Sequence, residues 1–253
     1  MNFISIDNLV LQVLCDILLN INIYWGEIMI DVIIVAAGSG KRMNSDINKQ
    51  FLKINNKPII AWTIEKFYTN KNIDNITVAI RKEDEEYIQD IISQYEFKNI
   101  NIVYGGKERQ DSISNCLDKI IHTDYVLIHD GARPFIDNDT INRCIEETRI
   151  HQCCCVGVPS KDTIKIVDNF GNISSTPDRK KLWCAQTPQA FHINIIKKAY
   201  KYAKETSFLA TDDASLVENI GYKVKMVMGS YNNIKITTPE DLIPAEIIAK
   251  TIK

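Results

Sequence analysis

The chain has 253 residues, 45% of them hydrophobic and 25% charged, the balance of a globular protein large enough to bury a core. Its formal net charge is −2, so no overall basic field draws it to nucleic acid or to an anionic membrane. Any phosphate binding must come from local groups of Lys and Arg. The seven cysteines include no C-x-x-C pair, which fits neither a disulfide framework nor a zinc pattern and suits the reducing cytoplasm.

Residues 1–28 stand apart. Their apolar patches (9–14 and 17–19) are broken by Asp7, Asp16 and several Asn, and no Lys or Arg precedes Lys41. A signal peptide's positive start is therefore missing, and the runs are too short to span a membrane. The segment is read as an N-terminal extension, poorly ordered or the product of an upstream start, with a partner-binding amphipathic helix as the sharper alternative. Residues 29–253 are read as a single domain.

From Met29 onward strand and helix patterns alternate. Residues 31–36 (DVIIVA) form an apolar run leading into glycines. Residues 57–68 have helical spacing, with Pro58 tolerated in the first turn. A strand at 75–80, an acidic amphipathic helix at 83–95, a strand at 100–104 and a helix at 109–121 follow. The strand at 125–129 ends on Asp130, and the helix at 137–150 leads to a strand at 153–158. There Cys153, Cys154 and Cys155 serve as small apolar residues. This alternation predicts an α/β fold with a mostly parallel sheet. Two extended runs, 163–168 and 173–176, flank turn-forming residues 169–172 (NFGN) and predict a hairpin. Helices at 193–204 and 212–219, strands at 224–227 and 234–236, and a helix start at 238–241 complete the chain.

Five constellations carry candidate chemistry. Ala36, Ala37, Gly38, Ser39 and Gly40 make a glycine turn after a strand, where backbone N–H groups can cradle phosphate oxygens. Arg42 and Lys49 lie close by and favour a triphosphate site. The dinucleotide fingerprint fails because Met43 holds the third glycine position and Arg81 and Lys82 replace the expected acid, and the P-loop spacing also fails. Gly105 and Gly106 precede Arg109 and Ser112, giving a tight backbone and a hydroxyl suited to a base or ribose. Asp130 ends an apolar strand, where open α/β sheets bind ligands, and one carboxylate there suits Mg²⁺. Beside it, Arg133 either holds a phosphate or pairs with Asp130, while His129 faces the other way as a core histidine. The predicted hairpin, about 160–182, carries Thr163 and Arg179; an exposed hairpin covers an edge or invites a second subunit. Lys235 is either a surface lysine or a charge aimed at a reacting phosphate. Nothing matches a hydrolytic triad or a zinc site.

In this order and spacing, AAGSGKRM (36–43), KQF (49–51), ERQDS (108–112), HDGARPF (129–135), KDTIK (161–165), LWCAQTPQAF (182–191), TDDAS (211–215) and NIKITTPEDL (233–242) resemble the 2-C-methyl-D-erythritol 4-phosphate cytidylyltransferase family of the non-mevalonate isoprenoid pathway. The resemblance spans about 30–251. It implies a Rossmann-like nucleotidyltransferase fold of GT-A-like type, a three-layer sandwich with a protruding β-hairpin, and a homodimer whose arms interlock. It also implies CTP and Mg²⁺. By the same resemblance Arg42 and Lys49 act at the α-phosphate. Lys235, with Arg179 from a second copy's arm, positions the methylerythritol phosphate, helped by Thr163, Arg133 and Thr187. Asp130 lies at the metal, and Ser112, Arg109 and the glycine turns lie near the nucleotide. One departure is Gly131, where many relatives carry Ala. Ribitol 5-phosphate as substrate, a sugar 1-phosphate nucleotidyltransferase using UTP or GTP, and a non-catalytic nucleotide-binding protein on the same scaffold are the competing readings.

Overall fold

A computed structural model describes residues 28–38 and 48–251. The strands are β1 (Ile30–Val35), β2 (Lys53–Ile54), β3 (Lys57–Pro58), β4 (Asn75–Ile80), β5 (Ile100–Tyr104), β6 (Tyr125–Asp130), β7 (Cys153–Pro159), β8 (Ile166–Val167), β9 (Ile173–Ser175), β10 (Trp183–His192) and β11 (Lys225–Met228). The helices are α1 (Ile59–Tyr68), α2 (Glu85–Gln94), α3 (Arg109–Lys119), α4 (Asn138–His151), α5 (Ile193–Thr206), α6 (Asp213–Asn219) and α7 (Leu242–Thr251).

Seven strands form one sheet in the order β11-β7-β10-β6-β1-β4-β5. Only β10 runs antiparallel to its neighbours there. The apolar run of β1 suits a central parallel strand buried on both faces. On one face Val32, Ile34, Val78 and Leu127 pack under α1, α2 and α4. On the other, Ile33, Ala79, Val126 and Ile128 pack under α3, α5 and α6. The layers are therefore helix, sheet, helix, as the family resemblance implied. A third cluster, around Ile54, Phe135, Ile236 and Ala245, seats α7 beside β2.

Chain order makes a switch point. The chain moves outward from β1 through β4 to β5, then returns to β6 on the other side of β1. The loops leaving β1 and β6 part in opposite directions, and open α/β sheets bind ligands in the crevice this leaves at the strands' carboxyl ends. Val35 pairs with Asp130 at that edge.

The structure departs from the expected elements in four places. Helix α1 begins at Ile59, because Asn55 and Asn56 both take positive φ (48° and 62°) and turn β2 onto β3, which uses Lys57 and Pro58 as a strand. Residues 234–236 form no strand, although the side chains still alternate, with Ile236 fully buried. The first arm strand shrinks to Ile166–Val167. Strand β10 was not expected at all. Its polar centre, Gln186 to Gln189, reads as loop, and it carries a cis Thr187-Pro188 bond and a register shift against β7.

The arm projects with residues 161–176 all exposed. The turn is closed by Asp168, which accepts from the N–H groups of Phe170 and Asn172. The expected extension is almost wholly outside the described residues. Among those described, no helix is long and apolar enough to cross a membrane.

Candidate active site

A cleft of about 680 Å³ opens at the switch point. Ala37 and Gly38 after β1 form one wall, with Lys49 and Gln50 from the 3-10 turn Lys49–Phe51. Gly105, Gly106, Arg109 and Ser112 form another, and Asp130 and Lys235 lie at its base. A second cavity of about 870 Å³ lies around Asp31, Asn75 and His122; it has neither glycine turns nor a group of cations.

The glycines at the start of α3 are required by packing. A Cβ on Gly105 would overlap the side chains of Ala37 and Ser112, and one on Gly106 would overlap Asp111. The turn after β5 thereby packs closely against Ala37 of the turn after β1. The buried Ser112 hydroxyl accepts from the Gly106 N–H (3.1 Å) and donates to the Glu108 carbonyl (3.0 Å). Gln50 braces the first turn from below, donating to the Ala36 carbonyl at 2.8 Å.

Asp130 is the electrostatic centre. It is 7% exposed, and three cations converge on it. Lys235 Nζ lies 2.9 Å and Arg133 Nε 3.4 Å from Oδ2, while Arg109 Nε lies 3.5 Å from Oδ1. Burial alone would raise its pKa, but Lys235, Arg109 and Arg133 outweigh it and hold the carboxyl well below the usual range. Arg109 also makes a two-pronged contact to Asp213, at 3.0 and 2.7 Å. Burial opposes its charge, yet Asp213 and Asp130 prevail and raise its pKa above the ordinary arginine value. Three cations against two carboxylates leave this cluster one charge positive, suited to an anionic guest.

A hydrogen-bond chain holds Asp130 from behind. Its N–H donates to the Thr187 hydroxyl (3.0 Å), which contacts His129 Nδ1 (3.1 Å), and His129 Nε2 meets the Arg133 carbonyl (3.0 Å). A carbonyl can only accept, so Nε2 carries the proton and Nδ1 accepts from Thr187. Burial pushes the imidazole pKa down to about 4. His129 is thus the neutral core histidine its place on the strand suggested.

Of the residues singled out by sequence, Ala37, Gly38, Lys49, Gly106, Arg109, Ser112, Asp130 and Lys235 line the cleft. Ala36 is buried beside it, and Thr187 and Arg133 lie behind Asp130. Arg133 pairs with Asp130, one of its two expected roles, and donates to the Asn233 carbonyl at 2.8 Å. Lys49 Nζ donates to the Ile236 carbonyl at 3.0 Å, which ties it to the Lys235 segment. Ser39, Gly40 and Arg42 lie outside the described residues. Thr163 and Arg179 are out on the arm, Arg179 donating to the Lys161 carbonyl at 3.0 Å, and neither lines this cleft. Sequence reasoning gave no role to Arg81 and Lys82, which follow β4 and line the cleft. Their signal was two cations at a strand's carboxyl end. Asp213 lies in the TDDAS motif (211–215), to which no role was assigned, and Tyr200, far from Arg109 in sequence, gave no signal.

The model of the 2-C-methyl-D-erythritol 4-phosphate cytidylyltransferase family matches residues 30–251. A protein of that name from Clostridioides difficile (strain 630) is 58% identical over 222 residues, 87% of this chain and 93% of its own. One from Clostridium botulinum (strain ATCC 19397 / Type A) is 47% identical over 87% of this chain and 97% of its own. The crystal structure of 4-diphosphocytidyl-2C-methyl-D-erythritol synthase from Anaerococcus prevotii DSM 20548 superposes with a TM-score of 0.81 at 36% identity, covering 88% of this chain and 97% of that one. With the match running through both glycine turns, Asp130 and the Lys235 segment, the chain belongs to the 2-C-methyl-D-erythritol 4-phosphate cytidylyltransferase family and is a cytidylyltransferase with CTP as co-substrate.

Proposed function

We propose that the cleft around Asp130 is where this chain carries out its family's reaction, transfer of CMP from CTP to 2-C-methyl-D-erythritol 4-phosphate with release of pyrophosphate. The observation that carries this reading is the convergence of Lys235, Arg109 and Arg133 on one buried carboxylate at the switch point, between two glycine turns.

A phosphate oxygen of the acceptor attacks the α-phosphorus of CTP in line with the departing pyrophosphate. One P–O bond forms, one breaks, and no protein nucleophile takes part. Both reactants are anions, so the protein's task is alignment and charge neutralisation. Ala36, Ala37, Gly38, Ser39 and Gly40 cradle the triphosphate, while Gly106, Arg109 and Ser112 hold the nucleoside side. Arg42 and Lys49 act at the α-phosphate. Lys235, Arg133, Thr187, and Thr163 and Arg179 from a second copy's arm, position the acceptor.

The cleft offers Mg²⁺ one carboxylate, Asp130, whose oxygens Lys235, Arg133 and Arg109 contact in this structure. That ion takes one or two carboxylates plus phosphate oxygens. The described residues gather no cluster of three ligating side chains, so Asp130 would hold it jointly with the nucleotide. When bound, the ion adds positive charge at the phosphates. Ile166, Val167, Phe170 and Ile173 are exposed on the arm and favour a homodimer that buries them. Buried, unpaired Cys116, Cys144, Cys153, Cys154 and Cys155 favour the cytoplasm.

Pyrophosphate release, measured with four NTPs against 2-C-methyl-D-erythritol 4-phosphate and ribitol 5-phosphate, tests the assignment. Release with CTP and the methylerythritol phosphate is expected. Preference for ribitol 5-phosphate would overturn the substrate, and wild-type activity retained by the Lys49, Asp130 and Lys235 variants would overturn the site.

A further inference from the structure

Arg109 is a cleft cation held by a carboxylate outside the cleft lining. Its side chain is about one-third exposed, and its two terminal nitrogens both donate to Asp213, at 3.0 and 2.7 Å. That leaves Nε turned toward Asp130. Asp213 opens α6 and is fully buried. Tyr200, in the middle of α5, donates its hydroxyl to Asp213 Oδ1 at 2.5 Å. The segment carrying Asp213 is itself pinned. Asp212 caps the helix by accepting from the Ser215 N–H (3.0 Å). Gln189 of β10 donates to Asp212 (2.8 Å) and accepts from the Ala214 N–H (2.8 Å).

A guanidinium on a flexible stem samples many rotamers, and a two-pronged carboxylate contact selects one plane and one direction. Here the carboxylate takes both terminal nitrogens, so Nε is the nitrogen left facing Asp130 and the cleft. Without Asp213, the nearest anion to Arg109 is Asp130, and the arginine would be drawn onto the carboxylate that Lys235 and Arg133 already hold.

We propose that Asp213, held by Tyr200, is a positioning residue that aims Arg109 into the nucleotide half of the cleft. Neither touches the reactants; both act through Arg109. The proposal rests on the reading of this cleft as the CTP site.

Steady-state pyrophosphate release by the purified full-length enzyme tests it. Asp213→Asn keeps the shape and removes the charge, and should raise the KM for CTP by about tenfold, the scale of one charge-assisted hydrogen bond. The KM for the acceptor should stay near wild type. Tyr200→Phe should shift the CTP KM in the same direction by less, and Asp213→Glu should recover part of the loss. The decisive comparison uses Arg109→Ala. If Asp213 works through Arg109, adding Asp213→Asn to Arg109→Ala changes the CTP KM no further. Folded Asp213→Asn and Tyr200→Phe proteins with a wild-type CTP KM and only a lowered Tm would overturn the proposal. So would additive effects of Asp213→Asn and Arg109→Ala. If Arg109→Ala itself leaves the CTP KM unchanged, the placement of CTP fails instead.

Discussion

Lys235 Nζ lies 2.9 Å from Asp130 Oδ2, joining a segment without regular secondary structure to the carboxyl end of the central strand β6 across 105 positions of sequence. The contact depends on two buried neighbours. Ile236 packs under α7 and its N–H donates to the Ala132 carbonyl at 2.9 Å, while Asn233 donates to the Thr187 carbonyl at 2.9 Å. Anchored on both sides, Lys235 has little choice but to face the cleft.

Removing Asp130 leaves Lys235, Arg133 and Arg109 facing one another without their shared counter-charge. Asp130→Ala is therefore expected to lower stability by about 3–5 kcal/mol, the scale for breaking one partner of a buried ion pair. Denaturant titration measures this. Asp130→Asn should retain more stability and still lose most turnover.

Lys49 reaches the cleft from a short turn outside the sheet, and its removal takes away a charge without emptying the core. Lys49→Ala should cost roughly 10²–10³-fold in kcat, the scale for one lost transition-state donor, with the circular dichroism spectrum and Tm near wild type. Turnover close to wild type would refute its placement at the α-phosphate.

His129 makes stability depend on pH in mild acid. Burial lowers its pKa from 6.5 to about 4. Between those values the unfolded chain binds the proton and the folded chain does not, so stability falls as pH drops from about 6.5 toward 4. Asp130 acts in the same direction lower down: its pKa is depressed when folded, so its contribution is present above the ordinary carboxylate value and lost as pH falls below it. Tm measured against pH should fall less steeply for His129→Gln than for wild type over the upper window. Identical slopes would show that His129 titrates normally.

The arm tip carries a phenylalanine that is 90% exposed. Replacing Ile166, Val167 and Phe170 with Ser should shift the protein toward monomer in light scattering. If Thr163 and Arg179 of one arm serve the other copy's cleft, as proposed, turnover should fall with the dimer. A fully active monomer would show that the site needs no second chain.

Much of the fold was legible because local patterns agree with their tertiary setting. The apolar runs at 75–80 and 100–104 are strands over those residues, and Asp137 caps α4 through the Thr140 N–H at 2.7 Å. Patterning failed where contacts distant in sequence override it. β10 holds a polar centre because Gln186 reaches the Ser230 carbonyl (2.9 Å) and Thr187 reaches the Asp130 N–H. Those partners satisfy inside a sheet groups that, in sequence, read as loop.

The glycine turns, the Asp at the end of β6 and the order of motifs could be read from the chain itself, because each depends on residues within a few positions of one another. Which cations meet Asp130, which carboxylate holds Arg109, and which tautomer His129 adopts were decided only by folding. Apart from the local contacts of Arg133 with Asp130 and His129, those relations join residues tens to more than a hundred positions apart, and a carboxylate's charge state is set by whatever the completed core places within a few ångströms of it.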